Sequence, residues 1–280
     1  MKIRMKFVKT GTLRFISHLD VMRYFQKANR RAGIDICYSG GFNPHQVLSF
    51  AAPLGLGLTS EGEYADLEVH STLSSKDTIA ALNAVMTEGM EVTGWVKVPK
   101  ECKPAMAQTA ASDYLVYFRE GYEPEDCEEF IQEFQGFLKQ ESVVIEKQTK
   151  KSVAQVDISP MILQAEAGMR QLDDNKNLCH TADKPQLCLY MLLTTGSASN
   201  LKPELVMDAF ARFSGRTFAP YALQIHRLES YADIGTEEQP KLVPLLALGE
   251  EIEQAYSDTK ERKDNQCPLA GAADCGVECI

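Results

Sequence analysis

Hydrophobic and polar positions in the first part of the chain follow two periods in turn. Residues 2–8 alternate apolar and mostly basic side chains, which is the period-two pattern of a half-buried strand. A helix follows, because Ser17 and Asp20 form an acidic variant of the capping box and apolar residues then recur at helical spacing to about Ala32, before Gly33. Strands at residues 47–51, 64–69 and 90–98 and a helix at residues 76–86 complete the order β-α-β-β-α-β, which is typical of ferredoxin-like domains.

The second part of the chain repeats this order of elements without repeating the sequence. Strands are predicted at residues 114–118, 142–146, 153–158, 187–194 and 222–228, and helices at residues 125–139 and 203–213. An irregular insert is predicted at about residues 159–184. Beyond Tyr231 the chain becomes acidic and rich in turn-forming residues, so we predict a short helix at residues 242–256 and a poorly ordered segment after it.

These patterns predict an α+β protein with two tandem ferredoxin-like (βαββαβ) domains and a flexible C-terminal tail. A basic domain is expected at residues 1–108, an acidic domain at residues 109–232 and the flexible, cysteine-containing tail at residues 233–280. A chain of 280 residues is long enough for two domains of ordinary size.

Charge is distributed unevenly along the chain. Residues 1–50 carry nine basic and two acidic side chains, a balance of +7, so the remaining residues carry −17 of a net charge of −10. This net charge argues against a protein that coats nucleic acid indiscriminately, but a basic region on an acidic body can hold a phosphate backbone locally.

The basic residues of the predicted first helix gather on one face. These residues are Arg23, Lys27, Arg30 and Arg31. They fall within about a third of the helix circumference, at about 100° per residue. We predict that they hold RNA phosphates; the alternative is an ordinary solvated basic face.

The stretch "YSGGFNPHQVLSFA", residues 38–51, contains more special residues than a plain hairpin turn requires. Gly40 and Gly41 permit unusual backbone conformations, and the amides of such a loop can bind anions. Pro44 stiffens the loop, since it disfavours a helical conformation at Asn43. We predict that Gly40, Gly41, Asn43 and His45 contact RNA, and a well-capped turn is the alternative.

Three further groups of residues are candidates for chemistry or binding. Lys147, Lys150 and Lys151 cluster on a predicted hairpin turn, where they would either rest on RNA phosphates or be solvated. His18 and His45 are the candidates for general acid–base cleavage of RNA, which needs a proton donor and an acceptor. Cys267, Cys275 and Cys279 lack the paired spacing of a complete zinc site, so no metal is predicted unless a partner supplies further ligands.

Several classes of protein are excluded by what the sequence lacks. No apolar run reaches the roughly 18–20 residues of a membrane span, and the first residues do not have the pattern of a signal peptide. We therefore expect a cytoplasmic protein without a membrane partner. The sequence has no GxxxxGK[ST] motif, which makes nucleotide hydrolysis an unsuitable interpretation, and no cofactor is expected.

Two segments resemble a known bacterial family. "LRFISHLDVMRYFQKANRRAG" and "YSGGFNPHQVLSFAAPLGLGLTSEGEYADLEV" are similar to the radical SAM-linked proteins, and looser similarity continues through "KKSVAQVDISP" and "GSASNLKPELVMDAF". This domain of unknown function is found beside or fused to radical S-adenosylmethionine (SAM) proteins that have a cobalamin-binding region. The chain itself has no C-x3-C-x2-C motif, so it is not expected to be the radical enzyme.

The resemblance implies work on RNA, because genes of the family often lie near a ribonuclease of the E/G type and a ribosomal protein. We therefore expect a non-catalytic RNA-recognition or adaptor subunit that acts with a separate radical SAM protein on ribosomal or transfer RNA. No DNA partner is expected. The alternatives are an RNA-processing or RNA-modifying enzyme that uses His18 and His45, and a scaffold that binds only protein.

Overall fold

The computed structural model describes residues 1–148, 153–171, 185–196, 199–236 and 238–257. We call residues 2–97 the first half and residues 109–233 the second half. The strands of the first half are β1 (Lys2–Lys9), β2 (Asp35–Ile36), β3 (Leu48–Phe50), β4 (Thr59–Thr72) and β5 (Met90–Lys97). Its helices are α1 (His18–Arg31) and α2 (Ser75–Asn83), and a short 3-10 helix (Gly11–Phe15) precedes α1.

The second half and the residues after it contain the remaining elements. Helix α3 (Ala105–Gln108) connects the halves, and the second half contains β6 (Thr109–Phe118), α4 (Cys127–Leu138), β7 (Val144–Gln148), β8 (Val153–Asp157), a 3-10 helix (Ser159–Met161), β9 (Ile162–Arg170), β10 (Gln186–Thr194), α5 (Pro203–Ser214) and β11 (Leu223–Asp233). After it come β12 (Leu242–Pro244), a 3-10 helix (Leu245–Leu248), β13 (Glu250–Glu251) and β14 (Tyr256–Ser257). None of the helices in these described ranges is long and apolar enough to span a bilayer.

The protein is a mixed α+β structure built on one large, mostly antiparallel sheet. The sheet follows the order β13-β5-β1-β4-β11-β6-β10-β9, and β2, β3, β12 and β14 pair with strands of this path. Within the first half the order is therefore β5-β1-β4-β3, and within the second half it is β11-β6-β10-β9. Strands β7 and β8 form a separate hairpin.

The two halves meet where β4 and β11 run parallel. His226 lies opposite Thr59 and Arg227 lies opposite Ser60. The backbones approach closely beside this pair, since a Cβ atom on Gly62 would lie 2.5 Å from the Cα of Glu229. The close approach explains why a residue without a side chain occupies this position in a strand.

Each half buries an aromatic core between its helices and one face of the sheet. In the first half Phe7 of β1 packs against Phe25 of α1, with ring centroids 4.7 Å apart, next to Met5. In the second half Phe134 of α4 packs against Phe210 of α5, with centroids 5.2 Å apart. Helical spacing of these apolar side chains is what directs one face of each helix to the sheet.

The segment predicted as an irregular insert contains a strand of the main sheet. Residues 162–170 form β9, which pairs with β10, whereas the residues predicted as the preceding strands form the separate β7–β8 hairpin. The core-facing residues of β9 include Ala165 and Ala167 beside the single larger residue Ile162. Small side chains give a weak alternation of hydrophobicity, and for this reason the prediction of an irregular segment was wrong at residues 162–170. Residues 172–184 of the predicted insert lie outside the described residues.

The predicted short helix at residues 242–256 is also absent from the structure, which has short strands and one 3-10 turn there. Leu245 is fully buried with Tyr64 of β4 and Ala51, so this segment packs on the sheet rather than forming an independent helix. Pro244, which cannot continue a regular helix from the residues before it, precedes the turn. Residues 258–280, where most of the expected tail falls, lie outside the described residues.

Candidate nucleic-acid interface

Helix α1 begins where the sequence places its capping residue. The Ser17 hydroxyl accepts the backbone N–H of Asp20 at 3.3 Å and donates to the Asp20 carboxylate at 2.6 Å. Val21, Phe25 and Ala28 then bury one side of the helix. This burial fixes which side of α1 faces solvent.

The opposite side of α1 is basic, and we call it the basic face. It consists of Arg23, Lys27, Arg30 and Arg31, all of which are exposed. Arg23 lies 3.6 Å from Asp20, and both side chains are more than half exposed, so this pair is weak. The basic face therefore presents positive charge to solvent.

Residues 38–46, the glycine loop, form a tight hairpin beyond the end of α1. Tyr38 and Gln46 pair as a β-bridge, and the Ser39 N–H donates to the His45 carbonyl at 2.8 Å. The Ser39 hydroxyl oxygen accepts the His45 N–H at 3.1 Å and lies 2.8 Å from His45 Nδ1. These contacts fix the His45 ring against Ser39 at the base of the loop.

Gln46 fastens the glycine loop to α1. Its side chain is buried, accepts from Asn29 Nδ2 at 3.1 Å and donates to the Gln26 carbonyl at 3.0 Å. Arg30 of the basic face hydrogen-bonds Tyr38, and bonds from Gln46 and then Arg30 hold the pKa of the Tyr38 hydroxyl below its usual range. The loop and the basic face thus form one surface.

The tip of the glycine loop presents an aromatic side chain that the sequence-based prediction did not include. Phe42 is fully exposed and Tyr38 is 47% exposed, whereas Gly40, Gly41, Asn43 and His45 surround them as exposed residues of the same loop. Gly41 has a φ of +100°, a conformation that favours glycine. An aromatic residue between Gly41 and Asn43 was the available signal, because turn positions normally carry small or polar residues.

The structure does not bring His18 and His45 together. His18 begins α1 and packs edge-on against Phe50, with ring centroids 5.1 Å apart. The glycine loop is fastened to the other end of the same helix at Asn29, about 16 Å away along the axis at about 1.5 Å per residue. The residue next to His45 is thus fastened near the end of α1 opposite to His18.

The other predicted site residues lie in another element or outside the described residues. Lys147 belongs to β7, in the separate hairpin. Lys150, Lys151, Cys267, Cys275 and Cys279 lie outside the described residues. Within the described ranges, no group of three or more His, Cys, Asp or Glu side chains could hold a metal ion.

A buried polar cluster joins the halves, and sequence reasoning missed it. His226 of β11 is fully buried, and its Nδ1 lies 2.9 Å from the Thr59 hydroxyl. Arg227 is buried beside it and donates to Glu63 at 2.8 Å. Both contacts span the β4–β11 pair, which indicates a structural role.

The comparison with protein families gives one match. Residues 2–203 match the family described as "Uncharacterized protein conserved in bacteria (DUF2344)". The chain belongs to the DUF2344 family. No curated protein matches the sequence. The matched residues of this DUF2344 protein include all of α1 and the glycine loop.

Proposed function

We propose that this DUF2344 protein is a non-catalytic RNA-recognition or adaptor subunit that acts with a separate radical SAM enzyme on ribosomal or transfer RNA. The observation that carries the RNA-binding part is the single surface formed by the basic face of α1 and the glycine loop. Gln46 holds the two in a fixed relation, and Phe42 projects fully exposed from the loop. Proteins that bind single-stranded RNA combine basic residues, which contact the phosphates, with exposed aromatic residues, on which the bases stack.

The charge distribution favours binding at this surface alone. The whole chain has a net charge of −10, so an RNA backbone is repelled by most of the protein. The basic face is the exception, and its four side chains have no buried acidic partner among the described residues. We infer that the protein binds RNA at one place and leaves the remainder of the RNA accessible to a partner.

The strand orders support a finer description of the fold. In each half the four main strands lie in the order fourth-first-third-second, when numbered within that half, with two helices on one face. This is the arrangement of a ferredoxin-like β-α-β-β-α-β unit. We propose that the protein is a tandem of two such units whose sheets are joined by the parallel β4–β11 pair.

The radical SAM partner rests on the resemblance of the sequence to radical SAM-linked proteins. A tagged protein isolated from its native host, with and without ribonuclease treatment, tests it directly. We expect a radical SAM protein that stays bound after ribonuclease, together with a defined RNA in the untreated sample. Capture of RNA without any such enzyme would contradict the adaptor role.

The RNA-binding part is tested by the dependence of affinity on salt. We expect Arg23→Gln, Lys27→Gln, Arg30→Gln and Arg31→Gln, combined in one variant, to weaken binding of a transfer RNA or ribosomal RNA fragment about a hundredfold at moderate salt. Each lost phosphate contact reduces the slope of log K against log salt by about 0.7–0.9, so the slope should fall by about three.

A matched control removes the same charge from the second half and the segment that follows it. Lys139→Gln, Lys202→Gln, Arg212→Gln and Lys241→Gln change four exposed basic residues away from α1. We expect this variant to retain the slope of the unmodified protein. An unchanged slope in the α1 variant, or an equal loss in both variants, would overturn the proposal.

A further inference from the structure

A second group of exposed hydrophobic residues lies at the beginning of α1, and we call it the junction patch. It consists of Phe15 (61% exposed), Leu19 (55%), Leu56 (64%) and Tyr221 (84%). Exposed hydrophobic residues are normal when scattered singly, but a group of four on neighbouring segments marks an interaction site. The glycine loop lies at the opposite end of the same helix.

Hydrogen bonds connect the three segments that carry the junction patch. The Gly57 N–H donates to the Arg14 carbonyl at 2.8 Å, which places the loop before β4 against the 3-10 helix. Arg14 Nη1 donates to Gln224 Oε1 at 3.2 Å, and Gln224 Nε2 donates to the Gly57 carbonyl at 3.2 Å. The beginning of β11, close to Tyr221, is therefore tied to the first half.

Two features of the junction patch indicate a ligand with a flat, electron-rich face. The Arg14 guanidinium lies over the Phe15 ring, 5.0 Å from its centroid, and such a pair offers a planar platform that is both apolar and cationic. Tyr221 has a φ of +65°, a left-handed conformation that is rare for residues other than glycine. Strain of this kind that holds a side chain in solvent is typical of functional positions.

The geometry of α1 links this patch to the glycine loop. The 14 residues of the helix span about 21 Å, and Arg23, Lys27 and Arg30 follow each other along it in steps of about 4.5–6 Å. Successive phosphates of an extended strand can lie along such a series. At each end of the series the exposed aromatic side chains offer stacking surfaces for bases.

We propose that the RNA binds as a single strand along α1, with its phosphates on the basic face and unpaired bases stacked at both ends. Tyr38 and Phe42 would take bases at one end, and Phe15 and Tyr221 at the other. This inference rests on the proposed RNA-binding function and narrows its substrate to an unpaired segment. A duplex cannot bind in this way, because paired bases are stacked on each other and do not reach an aromatic side chain.

The continuity with the basic face favours RNA over a protein as the occupant of the junction patch. Its charged neighbour is Arg14, and the exposed acid on the same part of α1, Asp20, already faces Arg23 at 3.6 Å. An RNA strand would therefore meet Arg14 at one end of the helix and the basic face along it, with Asp20 as the one exposed acid of α1. A protein partner remains an outcome that the experiment distinguishes.

The experiment compares a labelled single-stranded RNA, drawn from an unpaired segment of transfer RNA, with its duplex. We expect the single strand to bind at least tenfold more tightly. Phe42→Ala, and Phe15→Ala combined with Tyr221→Ala, should each weaken single-strand binding roughly 5- to 150-fold, which corresponds to one lost stacking contact of about 1–3 kcal/mol. The slope of log K against log salt should not change, since no phosphate contact is lost.

Matched variants separate stacking from general damage. Phe42→Trp should keep the affinity whereas Phe42→Leu should not, because leucine is apolar but cannot stack. Phe213→Ala and Tyr122→Ala remove aromatic side chains that are 46% and 48% exposed in the second half, and both should bind normally. Equal unfolding transitions for all variants show that the fold is intact.

The outcomes distinguish this inference from the function on which it rests. The stacking model alone is overturned if single strand and duplex bind with equal affinity and the aromatic variants bind normally, while the slope of log K against log salt still falls in the α1 variant. If no RNA form shows salt-dependent binding, the proposed function fails as well. Aromatic variants that bind RNA normally but lose the captured protein would assign the junction patch to a protein partner and overturn the inference.

Discussion

The first helices of the two halves, α1 and α4, have the same place in the order of elements but expose opposite charges. Both follow the first strand and both have a side-chain cap, from Ser17 in α1 and Asp126 in α4. Helix α1 exposes the basic face, whereas α4 exposes acidic residues that include Glu128 and Glu129. The backbone arrangement recurs, and the chemistry of the exposed face does not.

The two faces also differ in how their charge is neutralised. Arg216 of the second half donates to Glu129 at 3.1 Å and contacts Glu133, so acids of α4 are balanced within the protein. Among the described residues, the acidic contact of the basic face of α1 is the exposed pair of Arg23 and Asp20. A face whose charge is not balanced internally is available for an external anion, and this difference is the reason for proposing that RNA binds to the first half.

Among the variants that test this comparison, the largest loss of stability is expected from one that breaks the contact between the two halves. In Gly62→Ala the new Cβ would lie 2.5 Å from Glu229 Cα, and a backbone neighbour cannot move aside without breaking the β4–β11 pair. We expect a loss of at least about 3 kcal/mol in the free energy of unfolding, measured by urea denaturation.

A glycine elsewhere in the sheet provides the control for this change. Gly168 lies in β9, and a Cβ there would meet nothing within 4 Å. Gly168→Ala should change the free energy of unfolding by less than about 0.5 kcal/mol. If both variants unfold like the unmodified protein, the close approach at Gly62 does not hold the halves together.

Much of the first half could be predicted because its signals are local. Helix α1 was predicted from Ser17 to about Ala32 and is observed at His18–Arg31 with Ser17 as its cap, which confirms the prediction. Strand β4 was predicted only at residues 64–69, whereas it runs over Thr59–Thr72. The missing part contains polar residues such as Ser60 and Glu63, which are buried because β11 covers them. That contact lies more than 160 residues away in sequence, and no local pattern reports it.

The candidate site shows the same division between local and distant information. Helical spacing is enough to gather Arg23, Lys27 and Arg30 on one face, and these residues are exposed in the structure. The bond from Asn29 to Gln46, which places the glycine loop beside them, depends on tertiary packing. Tyr221 joins the junction patch only through the contacts of β11, so the sequence carried no signal for it.

An intermediate effect is expected when the glycine loop is released from α1. Gln46→Ala removes the acceptor of Asn29 Nδ2, and Asn29 is fully buried. An unsatisfied buried donor costs about 1–3 kcal/mol, so we expect a loss of that size in urea denaturation. Affinity for single-stranded RNA should fall as well, because Phe42 would no longer be held beside the basic face.

The corresponding change on α4 is the control for this variant. Gln132 is exposed on α4, and Gln132→Ala should leave the free energy of unfolding within about 0.5 kcal/mol of its original value. Normal RNA affinity in a destabilised Gln46→Ala variant would show that the loop need not be fixed to bind.

The smallest change in stability is expected from a buried charged residue in a central strand, β1 in the first half or β6 in the second half. Arg4 of β1 is buried in a salt bridge with Asp66, with Nε 2.8 Å from Oδ1. Asp113 of β6 instead accepts hydrogen bonds from the hydroxyl groups of Tyr190 and Tyr231, at 3.2 and 3.1 Å, and from the backbone of Glu229. Burial raises the pKa of Asp113, so the folded protein binds this proton more tightly than the unfolded chain does. Its contribution to stability is therefore lost as pH rises above the ordinary aspartate range of about 4.

Asp113→Asn should remove this dependence on pH. We expect the variant to be slightly more stable than the unmodified protein at pH 7 and to lose that advantage at pH 4, measured by thermal unfolding.

Asp157 gives the opposite sign, because hydrogen bonds from the backbone N–H groups of Ser159 and Val143 lower its pKa to about 2. Asp157→Asn should therefore be less stable at pH 7, with the deficit shrinking as pH falls toward 2. Identical pH profiles of stability for the two variants would mean that burial does not raise the pKa of Asp113. The difference between the central strands would then be the Arg4–Asp66 salt bridge alone.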